Sequence, residues 1–468
     1  MRLERLIAGI VLPFIAQVAT AQVRLPEYER VVLDNGAVVL LIPQHEVPII
    51  AFHALIRGGT VAEPVRRRGV AALTAALMER GAGERDAKAF VEAVADVGGE
   101  LSVAPGLEAL NIHGDFLARD RKLMVELLAD MLIRPRFDAQ ELEKVKARAI
   151  ELIRAAKDSD PRGLINAYGV AFLFGEHPYG RPIGGDEASL EQLTRDDVVR
   201  YYAEQAGGDR MLLSVAGDFD PKEMKKLLTA ALGRMPKAGG TLPTVPPAPR
   251  VTGRRVLLVD KPDATQTYFW IGNVGVSKRY AEHAALELTN SVFGESYTSM
   301  LNTELRIKSG LSYGASSFVS QPSQPGPVAI VSYTRTDATV QAIDLALATL
   351  SRLHENGLDA PQLDSAKQYV LGQYPLDLET AEQLAGQVAI VEFYGVGRSY
   401  IDDFAKDIQA VDLQRVRAVI DDVYPGTDNL VLVLIGNAAA IRDQMAKYGP
   451  VTEMPITAPQ FRAPDKLD

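Results

Sequence analysis

The fold is decided by two strand-like stretches near the start of the chain, Val38-Val39-Leu40-Leu41-Ile42 and Ile49-Ile50-Ala51-Phe52-His53-Ala54-Leu55-Ile56. Both are short and rich in β-branched and aliphatic residues, a composition typical of buried strands. Two similar stretches open the second half of the chain, Arg255-Val256-Leu257-Leu258-Val259 and Thr267-Tyr268-Phe269-Trp270-Ile271-Gly272. The same pair of strands therefore occurs twice.

The order of the elements after these strands also repeats. A helical pattern follows each pair, over 70–80 and over 282–293. Each half then ends on a helix, an apolar strand and a second helix, over 196–202, 211–217 and 221–232 in the first half and over 413–424, 430–436 and 438–448 in the second. The repeat predicts an α+β fold with two similar domains from an internal duplication, each an antiparallel-rich sheet with helices packed on one face.

A proline-rich segment separates the two halves. It contains Pro236, Pro243, Pro246, Pro247 and Pro249, and such segments are stiff connectors that build no core. We therefore place an N-terminal domain at 22–235, a linker at 236–252 and a C-terminal domain at 253–455. The remaining residues, 456–468, are expected to form an extended surface tail.

The first residues resemble a targeting segment. Arg2 and Arg5 precede a short apolar run over 6–16, and Ala19-Thr20-Ala21 matches a small-residue cleavage site. Residues 1–21 are thus predicted to be a signal peptide, which implies a secreted protein in the bacterial periplasm. The alternative is an uncleaved membrane anchor. No later segment has the apolar length of a spanning helix, so no stable membrane insertion is expected.

Composition excludes several functional classes. The 468 residues carry a net charge of −10, which argues against nucleic acid as the main partner because phosphate binding needs clustered Lys and Arg. There is no cysteine, so disulfides and thiolate catalysis are excluded. No Gly-x-Ser-x-Gly elbow and no phosphate-binding loop occurs. A self-sufficient hydrolase with an unrecognised site is therefore the least supported interpretation.

Several short segments, taken in order, resemble the pitrilysin/insulinase family of zinc peptidases, in its short two-domain, processing-peptidase-like branch. They are Gly58-Gly59, Gly69-Val70-Ala71, His177-Pro178-Tyr179-Gly180, Phe293-Gly294-Glu295 and the run from Leu301 to Tyr313. The resemblance covers almost all of the chain after the predicted signal peptide.

The resemblance implies where a metal site would lie. The family binds zinc through His-x-x-Glu-His on a helix, in which two histidines four residues apart share one face. Between Gly69 and Gly81 the motif positions fall on Ala72, Ala75 and Ala76. Methyl groups neither bind metal nor move a proton, so no metal site is expected in this chain. Glu151 resembles the family's third ligand within a residue or two, but without the histidines it is interpreted as a solvated or ion-paired helix residue.

The resemblance also implies a substrate-binding pair. In this family the second domain supplies an Arg and a Tyr that reach toward the zinc-bound peptide, and these roles fall on Arg306 and Tyr313. A guanidinium offers planar donors to a carbonyl, and a phenol can donate to an oxyanion. The alternative is that Arg306 forms a surface ion pair with Glu304 or Asp337 while Tyr313 packs at a strand edge.

These expectations together predict a non-catalytic, substrate-binding subunit of a heteromeric zinc metallopeptidase. Its partner would be a homologous subunit with an intact His-x-x-Glu-His, which would carry the zinc in a heterodimer acting on peptide substrates. Arg306 and Tyr313 would then act in trans. The alternative is a peptidase-fold scaffold or assembly protein with no proteolytic role, similar to the core subunits of a respiratory complex that share this fold.

Overall fold

The computed structural model describes residues 24–463. The predicted signal peptide lies outside the described residues. Over 24–463, none of the helices combines the length and the apolar character needed to cross a bilayer.

From residue 24, where the described structure begins, the first half contains six strands and eight α-helices. The strands are β1 (Glu29–Val32), β2 (Val38–Pro43), β3 (Ile49–Arg57), β4 (Glu100–Pro105), β5 (Ala109–Leu117) and β6 (Met211–Gly217). The helices are α1 (Val70–Met78), α2 (Ala87–Ala95), α3 (Arg121–Ile133), α4 (Ala139–Asp158), α5 (Ile165–Phe174), α6 (Glu187–Gln192), α7 (Arg195–Gln205) and α8 (Pro221–Leu232).

The second half contains six strands and nine α-helices. The strands are β7 (Arg255–Asp260), β8 (Gln266–Val274), β9 (Ala315–Val319), β10 (Pro327–Arg335), β11 (Val431–Gly436) and β12 (Val451–Pro455). The helices are α9 (His283–Asn290), α10 (Met300–Asn302), α11 (Thr339–Asn356), α12 (Ala360–Gln373), α13 (Ala381–Tyr394), α14 (Ser399–Asp402), α15 (Phe404–Ala410), α16 (Leu413–Val423) and α17 (Ala438–Met445). Two π-helical turns, Ser291–Glu295 and Thr303–Lys308, follow α9 and α10.

The two sheets share one topology over five of their six strands, and differ at one edge, where β1 pairs antiparallel with β2 but β12 pairs parallel with β7. The first has the order β1-β2-β6-β3-β5-β4 and the second the order β12-β7-β11-β8-β10-β9. Strands β2 and β6 pair in parallel, as do their counterparts β7 and β11. Strand β3 pairs antiparallel with both of its neighbours, and so does β8. The internal duplication and the α+β fold class predicted from the sequence are therefore confirmed.

Each sheet buries one face under the helices of its own half. Side chains alternate between the two faces of a strand, so Phe269 and Ile271 of β8 join the core formed with α9, α11 and α16. The core of the first half is built in the same way, with Phe52 and Ile112 packed against side chains of α1, α3 and α7. These two cores lie on corresponding faces.

The opposite face of each sheet is covered by a helix from the other half. Helix α5 of the first half packs on β8 and β11, and α13 of the second half packs on β3 and β6. Trp270, fully buried, lies against Gly169 of α5, where a Cβ atom would come within 2.9 Å of the indole ring. The halves are thus joined by an exchange of helices, which the sequence pattern did not predict.

The segments outside the sheets differ in their packing. Residues 236–252 form neither helix nor strand and are largely exposed. The segment after β12 is not the extended surface tail that was predicted. It turns after Pro455 and buries Phe461, whose ring lies 4.9 Å from Tyr168 of α5. Two hydrogen bonds also hold this segment on the first half, from the Ala188 backbone N–H to the Pro459 carbonyl at 3.1 Å and from the Lys157 ammonium to the Ala458 carbonyl at 2.6 Å.

Candidate functional site

The three positions that correspond to the metal motif lie on α1. Ala75 is fully buried, whereas Ala72 and Ala76, one turn apart, are partly exposed. The helix packs against α4, which carries Glu151 as an exposed side chain. Three methyl groups and one solvated carboxylate supply no ligand set for zinc. In the described part of the chain, no group of three or more His, Asp or Glu side chains is arranged to hold a metal ion.

The start of α1 is nevertheless fixed by a left-handed glycine and by a buried glutamate. Gly69 takes a left-handed conformation (φ 87°) just before the helix, where a Cβ atom would come within 2.8 Å of the Leu190 side chain. The buried Glu63 carboxylate accepts hydrogen bonds from the backbone N–H of Gly69 at 3.0 Å and of Ala71 at 2.9 Å. Burial raises the pKa of Glu63 to about 8, against the opposing effect of these two hydrogen bonds. The first turn of the helix is therefore anchored by a buried side chain even though Ala72, Ala75 and Ala76 offer no metal ligand.

The end of α1 is tied to the edge strand of the first sheet. Glu79, directly after the helix, accepts a hydrogen bond from the backbone N–H of Val103 in β4 at 2.6 Å. Burial raises the pKa of Glu79. This carboxylate satisfies a backbone donor that points away from the sheet, so it has a structural role.

Arg306 and Tyr313 lie together on the second half. The Arg306 guanidinium carbon lies 4.5 Å from the centre of the Tyr313 ring and 5.0 Å from that of Tyr297. Tyr313 is 74% exposed and Tyr297 is 63% exposed. The three side chains form an Arg–Tyr cluster in which a cation is held between two exposed phenols.

The ion-pair alternative for Arg306 is not realised. Glu304 pairs with Lys308 at 2.8 Å and with Arg352 at 3.3 Å. Asp337 pairs with Arg335 at 3.3 Å. Among residues 24–463, no carboxylate lies within ion-pair distance of Arg306. Its donors therefore remain available to an incoming ligand.

The backbone around the cluster is anchored so that Tyr313 projects outward. Thr334 of β10 donates a hydrogen bond from its hydroxyl to the Leu311 carbonyl at 2.6 Å. The Ser312 hydroxyl donates to the Gly314 carbonyl at 2.7 Å and is bonded to the Ser332 hydroxyl at 3.0 Å. Leu311 and Ser312 are buried, so Tyr313 is an exposed residue on a fixed segment.

Tyr297 was not predicted as part of the cluster. It precedes Arg306 by nine positions, which matches neither helical nor strand periodicity. The turn that brings the two together runs through α10 into the π-helical turn Thr303–Lys308. The available signal was its large aromatic side chain among small polar residues, in Ser296-Tyr297-Thr298-Ser299.

Solved structures with the same fold exist. The chain superimposes with a TM-score of 0.82 on the crystal structure of a peptidase M16 inactive domain from Pseudomonas fluorescens, at 22% identity over 88% of this chain and 98% of that one. A protease of Helicobacter pylori gives a TM-score of 0.81 at 19% identity, over 88% of this chain and all of the other. The fold and the three alanines define the class, a two-domain peptidase fold without metal ligands at the motif positions.

Sequence comparisons identify the family. The family model described as insulinase (peptidase family M16) matches residues 38–187, and the one described as peptidase M16 inactive domain matches 192–370. The chain belongs to the insulinase family, peptidase family M16, as a member that lacks the active site. This confirms the resemblance drawn from the sequence.

Some relatives of similar length are described as zinc proteases and another as a non-peptidase homolog. An uncharacterized zinc protease of Bacillus subtilis, YmxG, is 23% identical over 87% of this chain and 98% of its own length. An uncharacterized zinc protease of Mycobacterium leprae is 26% identical over 77% and 80%. A protein of Helicobacter pylori described as a non-peptidase homolog, YmxG, is 22% identical over 84% and 90%.

Proposed function

We propose that this protein is the non-catalytic, substrate-binding subunit of a heteromeric zinc metallopeptidase. Its partner is a homologous subunit with an intact His-x-x-Glu-His, which holds the zinc ion, and the two form a heterodimer that degrades or processes peptides. The chain itself holds no metal. The signal peptide predicted over 1–21 places the complex in the periplasm.

The observation that carries this proposal is the Arg–Tyr cluster. A partly exposed guanidinium with no carboxylate partner, held between two exposed tyrosine rings, is arranged for an external ligand. A surface arginine with a purely structural role would more commonly pair with a carboxylate nearby, and Glu304 is only two positions away. The cluster stands in a chain whose own motif positions are Ala72, Ala75 and Ala76. Substrate-binding residues without a metal site are useful when another chain supplies the metal.

The chemistry of the cluster suits a peptide. The Arg306 guanidinium lies against both rings and has planar donors that can bond to a peptide carbonyl. The Tyr313 hydroxyl is a donor for the oxyanion that forms when water attacks a carbonyl. Neither role involves a metal ligand, and the partner would supply the metal ion.

The alternative is a scaffold or assembly protein with no proteolytic role. The Helicobacter pylori relative described as a non-peptidase homolog is compatible with either interpretation. An Arg306 that is partly exposed and has no carboxylate partner favours the peptidase subunit, since a scaffold has no need of an unpaired cation between two tyrosine rings.

The test is a mixed complex with a homologous partner that contains His-x-x-Glu-His, such as one encoded by a neighbouring gene. Arg306→Ala and Tyr313→Phe should each lower peptide turnover, and loss of one oxyanion-type donor commonly costs about 10²–10³-fold. Assembly by size-exclusion chromatography and zinc content should stay unchanged. If Arg306 binds ground and transition states equally, its loss will appear mainly in KM.

Lys308→Ala is the matched control, because Lys308 is an exposed cation in the same π-helical turn and makes only a surface pair with Glu304. It should retain full activity. Unchanged kcat and KM in both Arg306→Ala and Tyr313→Phe, across several peptides, would contradict the proposal and favour a scaffold.

A further inference from the structure

A pocket of about 620 Å³ lies where the first half meets the uncovered end of the second sheet. Arg162 and Asn166 line it from the first half, and Tyr268, Tyr297, Phe318 and Tyr333 line it from the second. We call it the inter-half pocket. It exists because α5 covers the middle of the sheet and leaves the outer faces of β9 and β10 partly open.

One wall of the inter-half pocket is aromatic, while Glu295 and several serine side chains line the remainder. Tyr268 and Tyr333 are stacked, with ring centres 5.6 Å apart and an angle of 29° between the ring planes. The Arg162 guanidinium carbon lies 4.4 Å from the centre of the Tyr333 ring. Stacked rings and a flat cation offer large apolar contact with little polar demand, which suits an aromatic or bulky aliphatic side chain.

The pocket adjoins the Arg–Tyr cluster through one shared residue, Tyr297. Tyr297 lines the inter-half pocket and also lies 5.0 Å from the Arg306 guanidinium carbon. Neighbouring side chains of an extended peptide are about 3.3 Å apart along the chain. A peptide whose carbonyl is held at Arg306 can therefore place a side chain only a residue or two away in this pocket.

We infer that the inter-half pocket binds one large apolar side chain, preferably aromatic, of the peptide that Arg306 and Tyr313 hold. The inference rests on the proposed function for its ligand class. It adds a specificity determinant that belongs to this subunit alone, in which Arg162 of the first half and Tyr333 of the second are brought together by the helix exchange. The pocket selects the bound segment by its side chain, whereas the Arg–Tyr cluster contacts its backbone.

The molecule carries its own reporter for this pocket. Trp270 is the sole tryptophan in the sequence, is fully buried, and donates its indole N–H to the Asn166 side chain at 3.1 Å. Asn166 lines the pocket, so a side chain that enters it changes the surroundings of this hydrogen bond. Tryptophan emission therefore reports binding without a partner subunit and without turnover.

The test is a titration of the chain with two short, unstructured, tryptophan-free peptides that differ only by Phe or Ser at one central position. The Phe peptide should change Trp270 emission in a saturable way and bind about tenfold more tightly than the Ser peptide. Gly163→Leu should abolish that preference by filling the mouth of the pocket. A Cβ atom at Gly163 meets no heavy atom within 4 Å, so the substitution is tolerated by the fold. Tyr333→Ala should weaken the Phe peptide by a similar factor.

Gly372→Leu is the matched control, because Gly372 lies on α12 away from the pocket and is equally open to a side chain. It should bind like the unaltered chain. Equal affinity for the two peptides, or an unchanged preference in Gly163→Leu, would overturn the inference even if Tyr333→Ala failed to fold. If Arg306→Ala complexes lose activity but the chain shows no preference for the Phe peptide, the proposed function holds and only the role of the pocket is contradicted. If the chain prefers the Phe peptide but never supports turnover with a partner, the role of the pocket holds and the peptidase role is contradicted.

Discussion

Two histidines of the first sheet are held in their neutral form by the fold. His53 of β3 and His113 of β5 are cross-strand partners, and their ring centres lie 4.1 Å apart. Burial lowers the pKa of His53 to about 4, the neighbouring His113 lowers it further, and a hydrogen bond with Asn111 acts in the opposite direction. The pair lies under Gly386 of α13, so it belongs to the packing between the halves.

This arrangement predicts a loss of stability in acid. The pKa of His53 is about 4 in the folded chain and 6.5 for the free side chain, so the unfolded chain binds more protons between these values. The free energy of unfolding should therefore fall as the pH drops from about 6.5 to about 4. Between about pH 7.5 and about pH 4.5, His53 should account for a loss of about 2–3 kcal/mol.

Denaturant unfolding of the unaltered chain and of His53→Gln at both pH values measures this loss, since the variant has no titratable side chain at position 53. The stability difference between the two should move in favour of the variant in acid. A difference that stays constant with pH would contradict the prediction.

Single residues also show how far the sequence could predict the site. The three alanines of α1 were predicted from their distances to Gly69 and Gly81, and Arg306 and Tyr313 from the run over 305–314, so linear motifs carry both predictions. Tyr297 and Arg162 stand in no such motif, because each reaches its ring or cation partner through a turn or across the boundary between the halves.

Helix α1 is the element whose persistence most needs an explanation. Gly69 offers no capping side chain, and the Glu63 carboxyl group accepts instead from two buried backbone N–H groups that the helix leaves without a partner. Glu63→Ala should lower the free energy of unfolding by about 1–3 kcal/mol, because buried N–H groups would lose their acceptor. Glu63→Gln keeps an oxygen at the same position and should cost less. Thermal and denaturant unfolding of both variants measure the difference, and equal stabilities would show that the anchor is dispensable.

Elements built on simple periodicity were predictable, and those shaped by tertiary contact were not. The apolar stretches over 38–42 and 255–259 became β2 and β7 with only one added residue at the end. The helical pattern over 282–293, in contrast, leaves the α-helix after Asn290 and continues as a π-helical turn. Gly294 lies so close to β9 that a Cβ atom would come within 2.4 Å of the Ser317 nitrogen. That close approach is invisible in a pattern of apolar residues.

At the scale of the whole molecule, the two similar domains are not independent. Tyr168 and Leu173 of α5 are buried against the second sheet, and Leu384 and Val388 of α13 are buried against the first. A helix that is apolar on every side is typical of a buried helix, and the Ala-Phe-Leu-Phe run over 171–174 is an example. The pattern does not show which element the helix packs against. The sequence therefore predicted two domains and a linker but not the exchange that joins them.

The exchange predicts that the chain survives being cut in two. Thermolysin should cleave first before Leu242, an exposed apolar residue in the irregular segment between the halves. Because no cysteine links the fragments, only packing can hold them, and α5 and α13 each bury one face on the other half. The two fragments should co-elute in size-exclusion chromatography and separate only in denaturant.

Gly169→Leu, which forces a side chain into the space of the Trp270 ring, should let the nicked fragments separate at a lower denaturant concentration, whereas Gly372→Leu should not. Separation of the nicked, unaltered chain under native conditions would show that each half is stable by itself and that the exchanged helices are peripheral.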